Sequence, residues 1–369
     1  MHPRRASIAL AAVVCALAAP AATGAAAVKP PHTARLPPAT TATRAQMIGQ
    51  RLMVSMQGTQ PDAGLLARIQ AGQVGGVILF GSNIVDATQL STLTQRLQRA
   101  AAKGGQPPLL IATDQEGGLV RRLSWAPPKR SAEEMGQLST DTVKTIGQHT
   151  GAALKAVGIN LDLAPVADIP RSASNFIGQQ QRAFSTNRFV VSDDVSAFSH
   201  GLEAGGALPA IKHFPGLGRA GSVSTDDAVV TIDATTTQIT RDLLPYRLAM
   251  RRSVRPVIML STAVYPAYSP KAAAWSTAIG TKLLRDTLGF KGVTITDSLA
   301  SAAAVRHAGE ALIAVRCARH GDDILLVTGS EAASQQVYDA LLAKARSGAI
   351  TAANLQTSYT RIMALKGRL

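Results

Sequence analysis

Several short apolar runs of this sequence end in, or contain, polar residues of types that carry out acid–base and nucleophilic chemistry. One run ends at Asp114, another contains Lys212 and His213, and another ends at Asp297. Glycoside hydrolysis uses such groups: one carboxylate attacks the anomeric carbon and a second group protonates the leaving oxygen. Cations and hydrogen-bonding groups around them orient the sugar hydroxyls. The residue types therefore indicate a candidate glycosidase site.

Further polar residues follow the same kind of run. Arg122 comes shortly after the third run, Arg182 lies in the segment after the fourth, and Asp226 lies in a Gly- and Ser-rich loop after the fifth. A single Asp at the end of a strand has a simpler explanation, because Asp often caps the helix that follows. We assign Asp168 and Asp323 to that capping role and keep the others as site candidates.

Eight nearly continuous apolar runs are the elements that must position these residues. Such runs are typical of parallel strands that are buried on both faces. Amphipathic stretches between them predict helices, and a glycine often closes them, as at helix C-termini. The predicted strands are 51–56, 74–80, 108–114, 159–166, 208–215, 256–262, 292–297 and 323–328. The predicted helices include 87–102, 132–157, 190–205, 240–252 and 301–320, and the closing glycines are Gly158, Gly206, Gly289 and Gly321.

Eight β/α units predict an α/β fold with a single TIM (β/α)8 barrel, in which catalytic groups lie at the C-terminal ends of the strands. The rival fold is a doubly wound open sheet, which would need a Gly-rich phosphate turn after the first strand. The segment 55–64 (SMQGTQPDAG) does not have that pattern. We therefore expect one barrel domain over residues 45–369, with 351–369 as a final helix packed on the barrel.

The N-terminal residues have the pattern of an export signal. Residues 1–28 combine Arg4 and Arg5 with an apolar stretch and small residues at 25–27, which predicts a signal peptide. An uncleaved membrane anchor is the alternative. Residues 29–44 are rich in Pro, Thr and Ala and predict a flexible tether. We expect a secreted protein, extracellular or periplasmic, without stable membrane insertion.

Composition excludes several classes of protein. The 369 residues include 38 Lys and Arg against 23 Asp and Glu, so the formal net charge is +15. The basic residues are scattered and aromatic residues make up only 4%, which argues against nucleic-acid binding. A basic surface that attracts anionic cell-envelope polymers and an ordinary solvated surface both remain open. The sequence contains no Cys/His cluster with zinc spacing, so we expect no metal.

Three segments resemble the signatures of family 3 glycoside hydrolases, and in particular the single-barrel β-N-acetylhexosaminidases that act on cell-wall fragments. They are 113–123 (TDQEGGLVRRL), 210–218 (AIKHFPGLG) and 289–299 (GFKGVTITDSL). The resemblance implies that Asp297 is the nucleophile of a retaining mechanism, that no cofactor or metal is needed, and that five residues hold the sugar. Those five are Asp114, Arg122, Arg182, Lys212 and His213. For His213 a purely structural role in the core is equally open.

The sequence departs from the family pattern at the general acid/base. Many of these hexosaminidases carry Asp-Ser-His after the KHFPG segment, whereas this chain has Asp226, Asp227 and Ala228 there. Leu217 and Thr262 also stand where His is common in the family. Three interpretations remain open: Asp226 or Asp227 serves as acid/base, another group such as His213 replaces it, or the protein binds sugar with weak or no turnover.

The function that the resemblance implies is a secreted retaining glycosidase that hydrolyses terminal β-linked N-acetylglucosamine. Its expected partners are β-linked amino-sugar oligosaccharides or muropeptides, and we expect a monomer. A β-glucosidase of the same family is one alternative. A catalytically impaired sugar-binding protein of the cell envelope is the other.

Overall fold

The computed structural model describes residues 42–252 and 254–369. The predicted signal peptide (1–28) and nearly all of the predicted tether (29–44) lie outside the described residues. Within them, eight parallel strands follow one another around a barrel, with neighbours in the order β7-β6-β5-β4-β3-β2-β1-β8. A parallel bridge between Ile295 and Ile324 joins the two edges. The strands are β1 (Leu52–Ser55), β2 (Gly76–Ile78), β3 (Leu110–Thr113), β4 (Leu161–Asp162), β5 (Leu208–Phe214), β6 (Val257–Leu260), β7 (Thr294–Thr296) and β8 (Leu325–Val327).

All eight predicted strands are present, and the predicted α/β barrel is confirmed. Each strand is short because the parallel register pairs only its buried centre, as for Leu52–Val54 against Leu325–Val327. Side chains that point inward form one cluster, which includes Met53, Leu161 and Met259. Side chains that point outward pack against the helices and form the larger part of the core. The strand ends, rather than the filled interior, are therefore free to carry a site.

Helices surround the barrel between consecutive strands. They are α1 (Arg44–Gln50), α2 (Ala63–Gln70), α3 (Ala87–Lys103), α4 (Ala132–Met135), α5 (Thr140–Ala156), α6 (Phe176–Gln179), α7 (Arg188–Gly205), α8 (Thr236–Asp242), α9 (Leu244–Arg251), α10 (Leu299–Ala304), α11 (Glu310–His320), α12 (Glu331–Arg346) and α13 (Ala352–Lys366). A helix with π-type hydrogen bonding spans Thr277–Thr287. No helix among the described residues is long and apolar enough to cross a membrane.

The predicted C-terminal helix is confirmed as α13, whose Ile362 and Met363 belong to the cluster inside the barrel. Three of the predicted helices, 132–157, 240–252 and 301–320, are wrong as single elements because each is divided in two. At the first break Gly136 follows the last residue of α4, and Ser139 caps the start of α5 by accepting from the backbone N–H of Thr142. At the second break α9 begins at Leu244, with Pro245 in its first turn. The predicted closing glycines all have positive φ, from 74° to 102°.

Candidate active site

A cavity of about 430 Å³ opens at the C-terminal ends of the barrel strands. Volumes of this size are typical of small-molecule sites. Its walls include residues from the ends of β3, β5 and β7 and from the loops that follow them. Apart from Asp227, the second acid/base candidate, every residue that the sequence nominated for the site lines this cavity: Asp114, Arg122, Arg182, Lys212, His213, Asp226 and Asp297. The sequence and the barrel topology thus bring together groups that are up to 183 positions apart in the chain.

Lys212 lies at the centre of a buried charge network in the cavity floor. Its Nζ donates to Asp114 Oδ1 at 2.7 Å and lies 2.7 Å from Glu116 Oε1. Glu116 in turn accepts from Arg182 Nε and Nη2, both at 2.8 Å. Arg122 extends the network, with Nη2 3.8 Å from Asp114 Oδ2. The cations of the site are thus fixed by carboxylates before any ligand binds.

Glu116 is a site residue that the sequence prediction missed. It is buried, lines the cavity and forms the two-point contact with Arg182. The sequence feature that could have identified Glu116 is its position two residues after Asp114, because side chains two apart in an extended segment point to the same side. The short hairpin of Gln115–Gly117 with Val120–Arg121 provides that extended segment.

The pKa values of Glu116 and Lys212 are shifted by their partners toward the charged forms. Burial opposes ionisation of Glu116, but Arg182 and Lys212 outweigh it and hold the pKa of Glu116 well below its ordinary value. Burial likewise opposes the charge on Lys212, but Asp114 and Glu116 raise its pKa above the ordinary value. The floor therefore offers fixed donors and acceptors to a bound sugar.

Asp162 lies in β4 and is fully buried. Its Oδ1 accepts from the backbone N–H of Gln115 at 2.9 Å, while its Oδ2 has no hydrogen-bond partner within the described part of the chain. Burial raises its pKa well above the ordinary value. Through Gln115 it supports the turn that carries Asp114 and Glu116.

Asp168 does not cap a helix, so that assignment is wrong. It is fully buried, and its Oδ2 lies 2.7 Å from Nδ1 of His213, while its Oδ1 accepts from the backbone N–H of Leu217 at 2.7 Å. Asp323 does not cap a helix either. It lies just before β8 and pairs with Arg285 at 2.8 Å and with Arg361 at 3.2 Å. The residues next to an Asp do not show whether it caps a helix or pairs with a residue far along the chain.

Asp297 follows β7 at the edge of the cavity. Its Oδ1 accepts from the backbone N–H of Ser298 at 2.8 Å. Burial raises its pKa above the ordinary value, and the negative charge of Asp226, when ionised, adds to that rise. A half-buried carboxylate near a second carboxylate is the arrangement that glycosidases use for nucleophile and acid/base.

The loop after β5 brings Asp226 to the mouth of the cavity. Ser224, Thr225 and Asp226 line it, whereas Asp227 and Ala228 are not among its described lining residues. Asp226 is exposed, and its backbone N–H donates to Ser224 Oγ at 3.2 Å. Of the two acidic residues that the sequence offered for this loop, the geometry favours Asp226.

The start of the same loop is fixed to the segment before α6. Asn175 Nδ2 donates to the carbonyl oxygens of Leu217 at 2.9 Å and Ala220 at 2.8 Å. The backbone N–H of Arg171 donates to Gly218 O at 2.8 Å. These contacts set the direction in which the chain leaves β5, and so the position of Asp226.

Metal binding was not predicted for this chain, and the described residues contain no group of three or more His, Cys, Asp or Glu that could hold a metal ion. The carboxylates of the cavity are already paired with cations or with backbone N–H groups, except for Asp226. The described site is therefore one of hydrogen bonds and fixed charges.

The sequence matches the family described as "Glycosyl hydrolase family 3 N terminal domain" over residues 44–365. An "Uncharacterized secreted glycosyl hydrolase" of Arthroderma benhamiae is 37% identical over 328 residues, which cover 87% of this chain and 92% of that protein. A "Beta-hexosaminidase" of Tolumonas auensis is 33% identical over 303 residues, covering 79% of this chain and 86% of that protein.

Solved structures share the fold. The "Beta-N-acetylhexosaminidase from Beutenbergia cavernae" aligns with a TM-score of 0.82 at 35% identity, covering 88% of this chain and 99% of that one. A family 3 "beta-N-acetylglucosaminidase from Paenibacillus sp." also has a TM-score of 0.82, at 30% identity. This chain is covered to 89% in that alignment and spans 62% of the Paenibacillus protein.

Proposed function

This chain belongs to glycosyl hydrolase family 3, as its three signature segments predicted, and we propose that it is a retaining β-N-acetylhexosaminidase that removes terminal β-linked N-acetylglucosamine. One observation carries the proposal: Asp297 lines the same cavity as the Asp114–Lys212–Glu116–Arg182 network. A nucleophile beside fixed sugar-binding groups is what this reaction requires. The names of the relatives from Tolumonas and Beutenbergia support the choice of an amino sugar.

Asp297 is the nucleophile in the proposed mechanism. Its carboxylate attacks C1 of the sugar and the bond from C1 to the leaving oxygen breaks, so that a covalent glycosyl ester forms. A water molecule then attacks C1 from the side the leaving group vacated and releases the sugar, with net retention. The Ser298 N–H and the positive charge of Lys212 favour the ionised carboxylate that the first step requires.

Asp226 is the proposed acid/base. It would protonate the leaving oxygen in the first step and take a proton from water in the second. Its exposed position at the mouth of the cavity suits contact with a departing aglycone, and it lines the same cavity as Asp297. His213 is the second candidate, but its ring is buried and its Nδ1 is engaged by Asp168.

Asp114, Arg122, Arg182, Lys212 and His213 hold the sugar in this proposal. The cavity lining carries four carboxyl groups (Asp114, Glu116, Asp226 and Asp297) and three cations (Arg122, Arg182 and Lys212). While Asp226 carries the proton that it donates, three carboxylates face three cations, and the ionised Asp297 stabilises the positively charged, oxocarbenium-like transition state. The fixed network holds the sugar without reorganising during the reaction.

The direct test uses nitrophenyl glycosides of N-acetylglucosamine and of glucose with the wild type, Asp297→Ala, Asp226→Ala and the matched control Asp227→Asn. We expect turnover of the amino sugar by the wild type and the control, and a loss on the order of 10⁴–10⁶-fold in Asp297→Ala. A fluorinated slow substrate should leave an adduct on Asp297, detectable by intact mass. Preference for glucose would indicate the β-glucosidase, and binding without turnover of either would indicate the sugar-binding protein.

We also propose export, with residues 1–28 as a cleaved signal peptide, 29–44 as a tether and 45–369 as a monomeric catalytic domain. The N-terminal pattern supports this, as does the relative from Arthroderma that is called secreted. Muropeptides or chitin fragments are the proposed natural substrates. N-terminal sequencing of the exported protein, light scattering and assays on both substrates test these points.

A further inference from the structure

We propose that Asp168 is a positioning residue that fixes the orientation and the tautomer of the His213 ring, so that the ring presents Nε2 to the sugar. Asp168 itself is not part of the described cavity lining, whereas His213 is. The proposal rests on the proposed function, because it treats the cavity as a sugar site. It assigns a role to a buried carboxylate that the reaction itself does not use.

Asp168 and His213 form a short, buried contact. Asp168 is fully buried, His213 is 5% exposed, and Oδ2 of Asp168 lies 2.7 Å from Nδ1 of His213. A carboxylate at that distance accepts a hydrogen bond and cannot donate one when ionised. The proton of the neutral ring is therefore held on Nδ1, and Nε2 carries the lone pair.

The second ring nitrogen of His213, Nε2, is left without a partner by the part of the protein that the structure describes. Within the described residues, the ring of His213 has one hydrogen bond, the one through Nδ1. Nε2 is then available as an acceptor in a cavity whose other fixed side chains include the donors Lys212 and Arg182. A sugar hydroxyl is both donor and acceptor, so a lone pair at Nε2 allows it to donate to His213 while it accepts from a cation.

Asp168 also fixes the backbone that carries the ring. Its Oδ1 accepts from Leu217 N–H at 2.7 Å and lies 3.4 Å from the His213 N–H. It thereby connects both ends of the turn from β5 into the loop of Asp226. Tyr265 supports the same turn, because its hydroxyl donates to Gly216 O at 3.0 Å. Asp168 thus fixes both the orientation of the His213 ring and the position of the turn that follows β5.

Asp168→Asn is the test variant, because an amide keeps the shape but can turn its NH₂ toward Nδ1 and so move the ring proton to Nε2. We expect kcat/KM to fall about 10–100-fold, by analogy with the outer contacts that orient metal-binding histidines. The tautomer itself is read by ¹⁵N NMR of the ring, with the His213 signal assigned by comparison with His213→Gln. The wild type should show a protonated Nδ1, and Asp168→Asn a protonated Nε2.

The matched control is Asp323→Asn. Asp323 is also fully buried, but it is not part of the described cavity lining, and it pairs with Arg285 rather than His213. The substitution should lower the midpoint of unfolding without changing the His213 signals. A wild-type ring protonated on Nε2 would overturn the proposal, whether or not the variant folds. So would an Asp168→Asn protein that is less stable but keeps both the tautomer and kcat/KM. The NMR result needs no turnover, so a failure of the proposed function would be distinguished from a failure of this assignment.

Discussion

Lys212 places its ammonium 2.7 Å from Glu116 in the floor of the cavity, and both side chains are buried. Glu116 is shared, because it also holds the guanidinium of Arg182 through both carboxylate oxygens. A buried carboxylate between two cations is stable only as a complete set, since loss of one partner leaves uncompensated charge in a low-dielectric site. Glu116 is therefore as much a part of the site as the residues that touch the sugar.

Glu116→Gln should weaken both binding and folding. The amide cannot balance Lys212 and Arg182, and its NH₂ group must face one of them. We expect a loss of stability of about 3–5 kcal/mol, as for other broken buried pairs, together with a raised KM for the nitrophenyl amino sugar. Urea unfolding and steady-state kinetics measure these effects. Asp193→Asn breaks an exposed pair with Arg252 and should cost at most about 1 kcal/mol. Equal effects of the two substitutions would contradict the shared role of Glu116.

The sequence was sufficient to predict the barrel, because every strand is a continuous apolar run and no other element competes for it. It was not sufficient to predict the roles of the buried carboxylates that support the site. Asp168 contacts His213, which lies 45 positions further along the chain, and only the folded barrel brings the two together. Gly136 lies against the backbone of Phe184, where a Cβ would come within 1.8 Å of the carbonyl oxygen, and local propensity cannot show this contact either. What the sequence missed was thus set by tertiary contacts.

Asp226→Asn should make kcat/KM depend more steeply on the leaving group. In the proposed mechanism Asp226 donates its proton to the leaving oxygen in the first step, and the amide cannot replace it. Activity on a nitrophenyl glycoside, whose leaving group needs little protonation, should therefore fall least. Substrates with poor leaving groups should lose about 10²–10⁴-fold because the general acid is gone.

The control for this measurement is Asp227→Asn, which removes a neighbouring charge outside the described cavity lining. It should leave the dependence on leaving group near that of the wild type. Equal losses of Asp226→Asn on nitrophenyl glycosides and on substrates with poor leaving groups would contradict the role of Asp226 as general acid.

The buried Lys366 should make the free energy of unfolding depend on pH, and this residue lies outside the candidate active site. It is 2% exposed, and its Nζ donates to Gln50 Oε1 at 2.6 Å and Gly75 O at 2.8 Å. Burial lowers the pKa of Lys366 to about 7, well below the value of an unfolded lysine. Between pH 7 and 10 the unfolded chain therefore binds more protons at this residue, so stability should rise with pH across that window.

Lys366→Met removes the titrating group. The free energy of unfolding, measured by urea denaturation at several pH values, should rise less between pH 7 and 10 in the variant than in the wild type. The difference between the two curves isolates Lys366 from other groups that titrate there. Parallel curves would show that the Lys366 ammonium keeps an ordinary pKa in the folded protein.

Gly218→Ala should displace the loop that carries Asp226. A Cβ at Gly218 would lie 1.9 Å from the carbonyl oxygen of Ile169, and a backbone atom cannot yield as a flexible side chain does. The turn must then shift, and the hydrogen bonds from Asn175 to this segment would be strained. Because a displacement of about 1 Å costs on the order of 10²-fold in rate, we expect kcat/KM to fall by that factor. Gly221→Ala is the matched control, since a Cβ there meets nothing within 4 Å. If both alanine variants retain wild-type kinetics, the fixed start of the loop does not position Asp226.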